Sequence, residues 1–252
     1  MTGVRVRLGA VWKLLQIVSY ILWGGWLVFR RLPTLSPLKK EELIRAWSLA
    51  LIQKFAIQLI VNGKPPAQGP VLLAANHISW LDIVVMLAAR PCRFVSKADL
   101  KHWPLIGVMA SAGGTLFIER ESRRDVMRVA HHMAERLSVG DVLAVFPEGT
   151  TSDGVSIQNF HANLFQAAIA VNAPVVPVGI SYLDESSGST SLAPCYVGDD
   201  TLMQSLWRTL TASPLCVVLT FGEAQYAQGR DRRTWAGDLR TEVERLRDPS
   251  LH

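Results

Sequence analysis

The stretch "VLLAANHISWLDIVV" occupies residues 71–85, and the arrangement of its apolar residues indicates the fold. Five apolar residues lead into Asn76-His77, and apolar residues resume on either side of Asp82. A short continuous apolar run predicts a buried strand over residues 71–76. Residues 79–89 are predicted to form a helix, with Ser79 or Asn76 near its N-cap. A buried strand that leads into a helix within a few residues is typical of α/β folds.

The same alternation continues along the rest of the chain. Further strands are predicted at residues 93–97, 114–120, 142–149, 174–182 and 215–222. Helices are predicted at residues 123–137, 164–171 and 232–247. Strands that alternate with helices predict an α/β domain with a mixed, largely parallel sheet that is flanked by helices.

Before this domain, the sequence predicts an N-terminal module of two membrane helices. Residues 14–29, "LLQIVSYILWGGWLVF", contain no charge, and their aromatic side chains suit the membrane interface. A second helix is predicted over residues 43–61, where Arg45 and Lys54 could lie among lipid headgroups. We therefore divide the chain into residues 1–62, a membrane anchor with an interfacial helix, and residues 63–252, the globular domain. A buried core helix is the alternative for the first segment.

The positive charge of the chain is concentrated in its N-terminal quarter. The chain has a net charge of +5 at pH 7. Residues 1–64 contain ten Lys or Arg and two Glu, whereas residues 65–252 contain sixteen Lys or Arg and nineteen Asp or Glu. Basic residues beside an apolar helix attract anionic lipid headgroups, and the remainder shows no basic face interleaved with aromatic residues. The distribution favours membrane lipids as partners and argues against nucleic acid.

The cysteines and histidines argue against a disulfide framework and against a metal site. The three cysteines are far apart and form no Cys-x-x-Cys pair, which indicates free thiols in a reducing compartment. Apart from the adjacent His131-His132, the histidines are dispersed and show no metal-ligand spacing. We expect no bound metal or cofactor. We also expect the protein at the inner (cytoplasmic) membrane, with its globular domain on the cytoplasmic side.

The spacing of His77 and Asp82 indicates a general base. If the strand ends at Asn76, His77 lies in the turn and Asp82 lies one turn into the helix. The carboxylate can then reach one imidazole nitrogen and leave the other free to accept a proton, as in the base half of a catalytic triad. The sequence has no Gly-x-Ser-x-Gly element that would supply a serine nucleophile. The nucleophile is therefore expected to be a substrate hydroxyl, although a purely structural His-Asp pair stays open.

Two further segments contain candidate binding residues. "VFPEGTTSDG" at residues 145–154 follows an apolar strand, and turns at strand ends can bind polar or anionic headgroups. "GGTLFIER" at residues 113–120 ends at Arg120, which could pair with a phosphate or carboxylate. Lys97, at the end of another predicted strand, is a similar candidate. The alternatives are an ordinary Pro/Gly turn and solvated charges.

Together these blocks resemble the lysophosphatidic acid acyltransferase family of glycerolipid acyltransferases. That family carries Asn-His-x4-Asp, Gly-x-x-Phe-Ile-x-Arg, Phe-Pro-Glu-Gly-Thr-x-Ser and a block like Val-Pro-Val. The matching blocks here lie at residues 76–82, 114–120, 146–152 and 176–178. The resemblance implies a membrane-bound O-acyltransferase with an α/β domain next to the membrane. It makes residues 63–252 the acyltransferase domain.

The resemblance also implies roles for individual residues. His77 would be the general base that activates the acceptor hydroxyl, and Asp82 would orient it. The hydroxyl would attack the thioester of acyl-CoA or acyl carrier protein directly, without an acyl-enzyme. The substrate-binding residues implied in this way are Lys97, Phe117, Ile118, Arg120, Glu148, Gly149, Thr150, Thr151 and Pro177.

One departure from the family pattern leaves the acceptor open. Members that acylate glycerophosphates commonly have an arginine where this chain has Thr151, so a bidentate guanidinium is missing here. Arg120 and Lys97 remain as candidate phosphate ligands. "FPEGTTSDG" also resembles the branch that acylates lyso-ornithine lipid, a phosphate-free aminolipid. Of the two acceptors we expect 1-acylglycerol-3-phosphate, which would give phosphatidic acid, because its class is the broader one.

Two other function classes compete with acyl transfer. A lysolipid hydrolase would need a protein nucleophile or a metal, and the sequence indicates neither. A non-catalytic lipid-binding protein would not need a base, so the His77 and Asp82 pair argues against it.

Overall fold

The computed structural model describes residues 2–118 and 123–248, and within them it contains a seven-stranded sheet flanked by helices. The strands are β1 (Ile57–Asn62), β2 (Val71–Ala75), β3 (Arg93–Lys97), β4 (Leu116–Ile118), β5 (Val142–Val145), β6 (Val175–Asp184) and β7 (Leu215–Phe221). The α-helices are α1 (Thr2–Arg30), α2 (Pro37–Lys54), α3 (Leu81–Ala89), α4 (Ile106–Ala112), α5 (Arg123–Ser138), α6 (Gln166–Ala170), α7 (Leu202–Thr211) and α8 (Arg232–Leu246).

The sheet is mostly parallel, as predicted. Its strand order is β1-β7-β6-β2-β5-β3-β4. The five strands from β6 to β4 are parallel to one another, whereas β7 is antiparallel to β6 and parallel to β1. All five residues of β2 are buried, as expected for a central parallel strand that is covered on both faces.

Each face of the sheet is covered by its own hydrophobic core. Alternate residues of β6 point to opposite faces, so Val176 and Val178 belong to one core and Val175 belongs to the other. The first core includes buried residues of α1, α2 and α3. The second includes buried residues of α5, α6 and α8. The layered arrangement confirms the predicted α/β class.

Helix α1 combines a docked face with an exposed apolar face. Ala10 and Ile17 are buried in the first core, and Gly24 lies so close to α2 that a Cβ there would be 2.6 Å from Trp47 Nε1. Leu15, Leu22 and other large apolar side chains remain exposed. The segment Val6–Arg30 is long and apolar enough to cross a membrane. The predicted apolar helix over residues 14–29 is therefore present within α1.

The second predicted helix, residues 43–61, is wrong in its C-terminal part. Helix α2 ends at Lys54, Ala56 has a positive φ of 57° that breaks the helix, and β1 then begins at Ile57. The apolar residues of "IQLIVN" are used in parallel pairing with β7 instead. The sheet thus begins before residue 63, within the segment that we assigned to the membrane module. The division of the chain at residue 62 stays a prediction.

Candidate active site

The parallel strands bring the candidate residues to one edge of the sheet. The carboxyl ends of β2, β5, β3 and β4 lie at the same edge because the four strands are parallel. His77 follows β2, the turn 146–152 follows β5, and Lys97 ends β3. Ligands commonly bind outside the carboxyl ends of the strands in open α/β sheets. The topology therefore places the sequence blocks at the edge where a site is expected.

His77 and Asp82 form the predicted pair. His77 Nδ1 lies 2.9 Å from Asp82 Oδ2. The same oxygen accepts hydrogen bonds from the backbone N–H groups of Ile78 at 2.7 Å and Ser79 at 2.9 Å. Asp82 is wholly buried in the first turn of α3, where backbone N–H groups and the helix dipole favour a negative charge. The carboxylate therefore fixes the proton on Nδ1, so that Nε2 is the acceptor nitrogen.

The His77 ring lies flat against Phe146 at the edge of the site. The two ring centroids are 4.0 Å apart and the planes differ by 8°. The side chain of His77 keeps 17% of its surface exposed. The stacked ring is thus fixed on one face while part of it stays accessible to a substrate.

The turn after β5 holds the backbone of His77 on both sides. Glu148 Oε1 accepts the His77 backbone N–H at 2.7 Å. Ser152 donates to the His77 carbonyl through its backbone N–H at 2.7 Å and its hydroxyl at 3.0 Å. The other Glu148 oxygen accepts the backbone N–H of Gln158 at 2.8 Å. Residues 146–152 therefore position the proposed base through both its ring and its main chain.

Comparison with known proteins identifies the family of this site. The family model described as "Acyltransferase" matches residues 58–181. The chain is 38% identical over 224 residues to the lyso-ornithine lipid O-acyltransferase of Pseudomonas aeruginosa, and the match covers 87% of this chain and 85% of that protein. The chain belongs to the acyltransferase family.

A second relative agrees with this assignment, and a solved structure shares the fold. The acyltransferase is 40% identical over 173 residues to the 1-acyl-sn-glycerol-3-phosphate acyltransferase of Neisseria gonorrhoeae. This match covers 68% of this chain and 67% of that protein. Its fold matches the crystal structure of the 1-acyl-sn-glycerophosphate acyltransferase PlsC from Thermotoga maritima, with a TM-score of 0.72, 22% identity and 98% of both chains covered. At this identity, the likeness to the crystal structure shows the fold alone.

Glu148 of the acyltransferase faces the protein interior. It is 4% exposed, and both carboxylate oxygens accept backbone N–H groups. Burial raises the pKa of this carboxyl, and the N–H groups of Gln158 and His77 oppose the rise. The geometry favours a bracing role for Glu148 over the acceptor-binding role that the resemblance implies.

The next residues of the turn reach the rim of the site. Gly149 has a positive φ of 73°, which a glycine adopts without strain. Thr150 is exposed. The Thr151 hydroxyl donates to the backbone carbonyl of Tyr196. Thr150 is thus available at the rim, whereas the hydroxyl of Thr151 also connects the turn to the loop around Tyr196.

The remaining predicted binding residues occupy different environments. Lys97 is exposed at the end of β3, and its register partner in β4 is the buried Ile118. Phe117 is partly buried, and Arg120 lies outside the described residues. Pro177 is buried within β6, paired with Ala74 of β2. Lys97 therefore stands at the carboxyl edge, whereas Pro177 lies inside the sheet.

The sequence did not predict one residue, Tyr182, that contacts the His77 and Asp82 pair. The Tyr182 hydroxyl donates to Asp82 Oδ1 at 2.7 Å, and both side chains are buried. Tyr182 lies 100 residues after Asp82. No motif connects the two positions, so only the pairing of β6 with β2 shows that they meet.

The described residues of the acyltransferase contain no group of three or more His, Cys, Asp or Glu side chains that could hold a metal ion. Burial raises the pKa of all three cysteine thiols, that of Cys195 to about 11. Thiols with raised pKa values are poor nucleophiles near neutral pH. The raised pKa values therefore favour a substrate hydroxyl over these thiols as the nucleophile.

Proposed function

We propose that this acyltransferase is a membrane-bound enzyme that transfers a fatty acyl group to the free hydroxyl of a lysolipid, with His77 as the general base. The observation that carries the proposal is the 2.9 Å contact of His77 Nδ1 with the buried Asp82, beside a partly exposed imidazole ring. A binding protein would have no use for an imidazole oriented in this way.

The reaction follows from this geometry. Nε2 of His77 takes the proton of the acceptor hydroxyl, and the oxygen attacks the carbonyl carbon of the acyl thioester. Asp82 stabilises the imidazolium that forms. The carbon–sulfur bond then breaks, the ester remains on the lysolipid, and the departing thiolate takes the proton back from His77. No covalent acyl-enzyme is formed.

We propose lyso-ornithine lipid as the acceptor. The similarity to the lyso-ornithine lipid enzyme extends over 87% of this chain, against 68% for the glycerophosphate enzyme. The position where a guanidinium would bind phosphate holds Thr151, whose hydroxyl donates to the Tyr196 carbonyl. Because this position lacks a positively charged side chain, it suits an acceptor that has no phosphate. The order of the two acceptors is therefore the reverse of the one expected from the sequence alone.

The second candidate acceptor is 1-acylglycerol-3-phosphate. Within the shared region, identity to the glycerophosphate enzyme reaches 40%. Lys97 is exposed at the carboxyl edge and supplies a positive charge for a phosphate.

We place the catalytic domain on the cytoplasmic side of the inner membrane, with acyl-CoA or acyl carrier protein as the donor. The match to the acyltransferase family supports an acyl thioester donor, and the catalytic domain must face the compartment that contains this donor. The three free cysteines are consistent with a reducing compartment. The apolar face of α1 would hold the domain against the membrane in which the lysolipid resides.

The test uses purified full-length protein in detergent with labelled acyl-CoA or acyl carrier protein. Lyso-ornithine lipid and 1-acylglycerol-3-phosphate are supplied in parallel reactions. We expect transfer to lyso-ornithine lipid, none with His77→Ala, and unchanged transfer with His131→Ala, a matched control at an exposed histidine. Transfer only to the glycerophosphate would select the second candidate. Full activity in folded His77→Ala would overturn the mechanism.

Asp82→Asn provides a second test of the mechanism. An amide cannot stabilise the imidazolium and favours the wrong tautomer, and the corresponding change in a serine protease lowers kcat by about 10⁴. We expect kcat to fall by orders of magnitude, with KM for both substrates little changed. A rate equal to that of the wild type would remove Asp82 from the mechanism.

A further inference from the structure

The two oxygens of the Asp82 carboxylate are held by different parts of the fold. Oδ2 accepts from His77 Nδ1 and from two backbone N–H groups in the turn before α3. Oδ1 accepts from the Tyr182 hydroxyl on β6, its partner among the described residues. With one oxygen fixed by the turn and the other by the sheet, the carboxylate cannot rotate about its Cβ–Cγ bond without breaking a buried hydrogen bond.

Asn76 fixes the position of Tyr182 relative to the turn. Its side-chain amide donates to the Ile180 carbonyl at 3.0 Å, and its side-chain oxygen accepts the Ile180 N–H at 2.7 Å. These two bonds continue the β2–β6 pairing one residue beyond the end of β2. Because Asn76 precedes His77 and Ile180 lies two residues before Tyr182, the hydroxyl is held in register with the base.

We propose that Tyr182 is a positioning residue for acyl transfer, which holds Asp82 so that its other oxygen accepts the Nδ1 proton of His77. The inference rests on the proposed role of His77 as the base. The Tyr182 side chain is buried, so the proposed effect is transmitted through its hydrogen bond to Asp82.

The surroundings of Asp82 allow Tyr182 to act as a constant donor. Burial, followed by the charge of Asp82 and the hydrogen bond to it, raises the pKa of the Tyr182 phenol well above its ordinary value. Among the residues that the structure describes, the titratable groups that interact with Asp82 include His77 in the turn, Glu148 after β5 and Cys195 in the loop before α7. The phenol therefore keeps its proton near neutral pH and remains a hydrogen-bond donor to Asp82.

Tyr182→Phe removes the hydroxyl and keeps the ring. We expect kcat to fall about 10- to 100-fold, the range for a lost buried hydrogen bond to a charged group, with KM for both substrates within about twofold. Without this donor the carboxylate retains the imidazolium proton more strongly. The acid limb of the pH–rate profile should therefore move to higher pH. Tyr226→Phe, at an exposed tyrosine, is the matched control and should change neither quantity.

A double-mutant cycle separates positioning from general stability. If Tyr182 acts through Asp82, Tyr182→Phe should lower kcat little further in the Asp82→Asn background. An equal loss in both backgrounds, or an acid limb that does not move, would overturn the proposal. The assays are run well below the melting temperature of each variant.

A substrate-independent measurement keeps this test separate from the test of the proposed function. Diethyl pyrocarbonate modifies neutral imidazoles, and peptide mass spectrometry reports the modification of His77 alone as a function of pH. We expect the midpoint to rise in Tyr182→Phe even if neither lysolipid proves to be the acceptor. An unchanged midpoint would overturn the inference, whatever the protein acylates.

Discussion

At the scale of single residues, Glu148 differs most from its expected role. The resemblance implies a ligand for the acceptor, whereas the carboxylate is buried and accepts the backbone N–H groups of His77 and Gln158. We therefore propose that Glu148 positions the proposed base His77 and does not bind the headgroup.

Glu148→Gln tests the bracing role. The amide has one oxygen, so one of the two backbone N–H groups would face an NH₂ group. We expect kcat to fall at least about tenfold and the free energy of unfolding to fall by about 2 kcal/mol, the range for a lost hydrogen bond to a charged group. KM for the acceptor should stay within about twofold.

The opposite kinetic pattern would restore the expected role of Glu148. A KM for the acceptor raised by an order of magnitude, with kcat and the unfolding free energy unchanged, would mean that Glu148 binds substrate. Steady-state kinetics with urea unfolding distinguishes the two patterns. Asp153→Asn in the same loop is the control for a change of charge, because the exposed carboxylate accepts the Val155 and Ser156 N–H groups through Oδ1 alone, and an asparagine Oδ1 can accept both.

The sequence predicted the pair His77 and Asp82 because both lie in one turn, where spacing determines geometry. It could not predict Tyr182, since that contact depends on the register between β6 and β2. It also could not show that Glu148 points inward, because a Pro-Glu-Gly turn can present its carboxylate to either side. Local contacts follow from spacing, whereas contacts across the sheet require the fold.

At the scale of elements, helix α8 supports the loop that follows the catalytic turn. Arg240 donates to the carbonyls of Ile157 and Gln158, and Arg247, just beyond the helix, donates to the Gly154 carbonyl at 2.8 Å. Gln158 in turn donates to Glu148. A displacement of α8 would therefore change the position of His77, because hydrogen bonds connect Arg240 to Gln158, Gln158 to Glu148 and Glu148 to His77.

Asp231 caps this helix, and its contribution should depend on pH. The backbone N–H groups of Thr234 and Arg233 lower the pKa of its carboxyl. A lowered folded-state pKa means that the stabilisation is present above the ordinary aspartate value of about 3.9 and is lost as the pH falls through the lowered pKa. Asp231→Ala should therefore melt at a lower temperature than the wild type at pH 7, and the gap should narrow in acid.

Asp231→Asn is the matched variant for this measurement. Asparagine caps helices about as well as aspartate but does not titrate. Its melting temperature at pH 7 should stay near that of the wild type, and its difference from Asp231→Ala should not narrow in acid. A gap between wild type and Asp231→Ala that is the same at every pH would exclude the charged cap.

A long apolar run can lead to a wrong secondary-structure prediction. Residues 43–61 contain one long apolar segment, so a single helix was predicted, but the chain forms α2 and then β1. The β-branched residues Ile57, Ile60 and Val61 favour a strand, and the partner strand β7 lies far along the sequence. The first strand of a sheet is hard to recognise from sequence when it pairs with the last strand.

At the scale of the whole molecule, α1 gives the protein an exposed apolar face on an otherwise ordinary α/β domain. The alternation of strands and helices predicted this domain, but it could not predict that β7 and β1 run opposite to the other strands. Leu15 and Leu22 are 58% and 61% exposed on α1. Large exposed apolar surfaces on a protein indicate contact with a partner or a membrane.

Replacement of both residues by lysine should weaken membrane binding. A charge in the hydrocarbon region is costly, so we expect the vesicle-bound fraction of Leu15→Lys/Leu22→Lys to fall several-fold in a flotation assay. Val139→Lys/Leu192→Lys, with exposures of 68% and 55% outside α1, adds the same charge and should bind like the wild type. Equal losses in both double variants would mean that charge, and not the apolar face of α1, governs binding.

The way in which His77 is held has a consequence for evolution. The contacts that hold the proposed base come from Asp82, Phe146, Glu148 and Ser152, whereas Thr150 and Lys97 are exposed. Selection for a new headgroup can act on the rim while the proton-transfer chemistry stays under a separate constraint. If Thr150 and Lys97 bind the headgroup, as the family resemblance implies, a lineage can change its lysolipid through substitutions at these positions while the contacts of His77 stay the same.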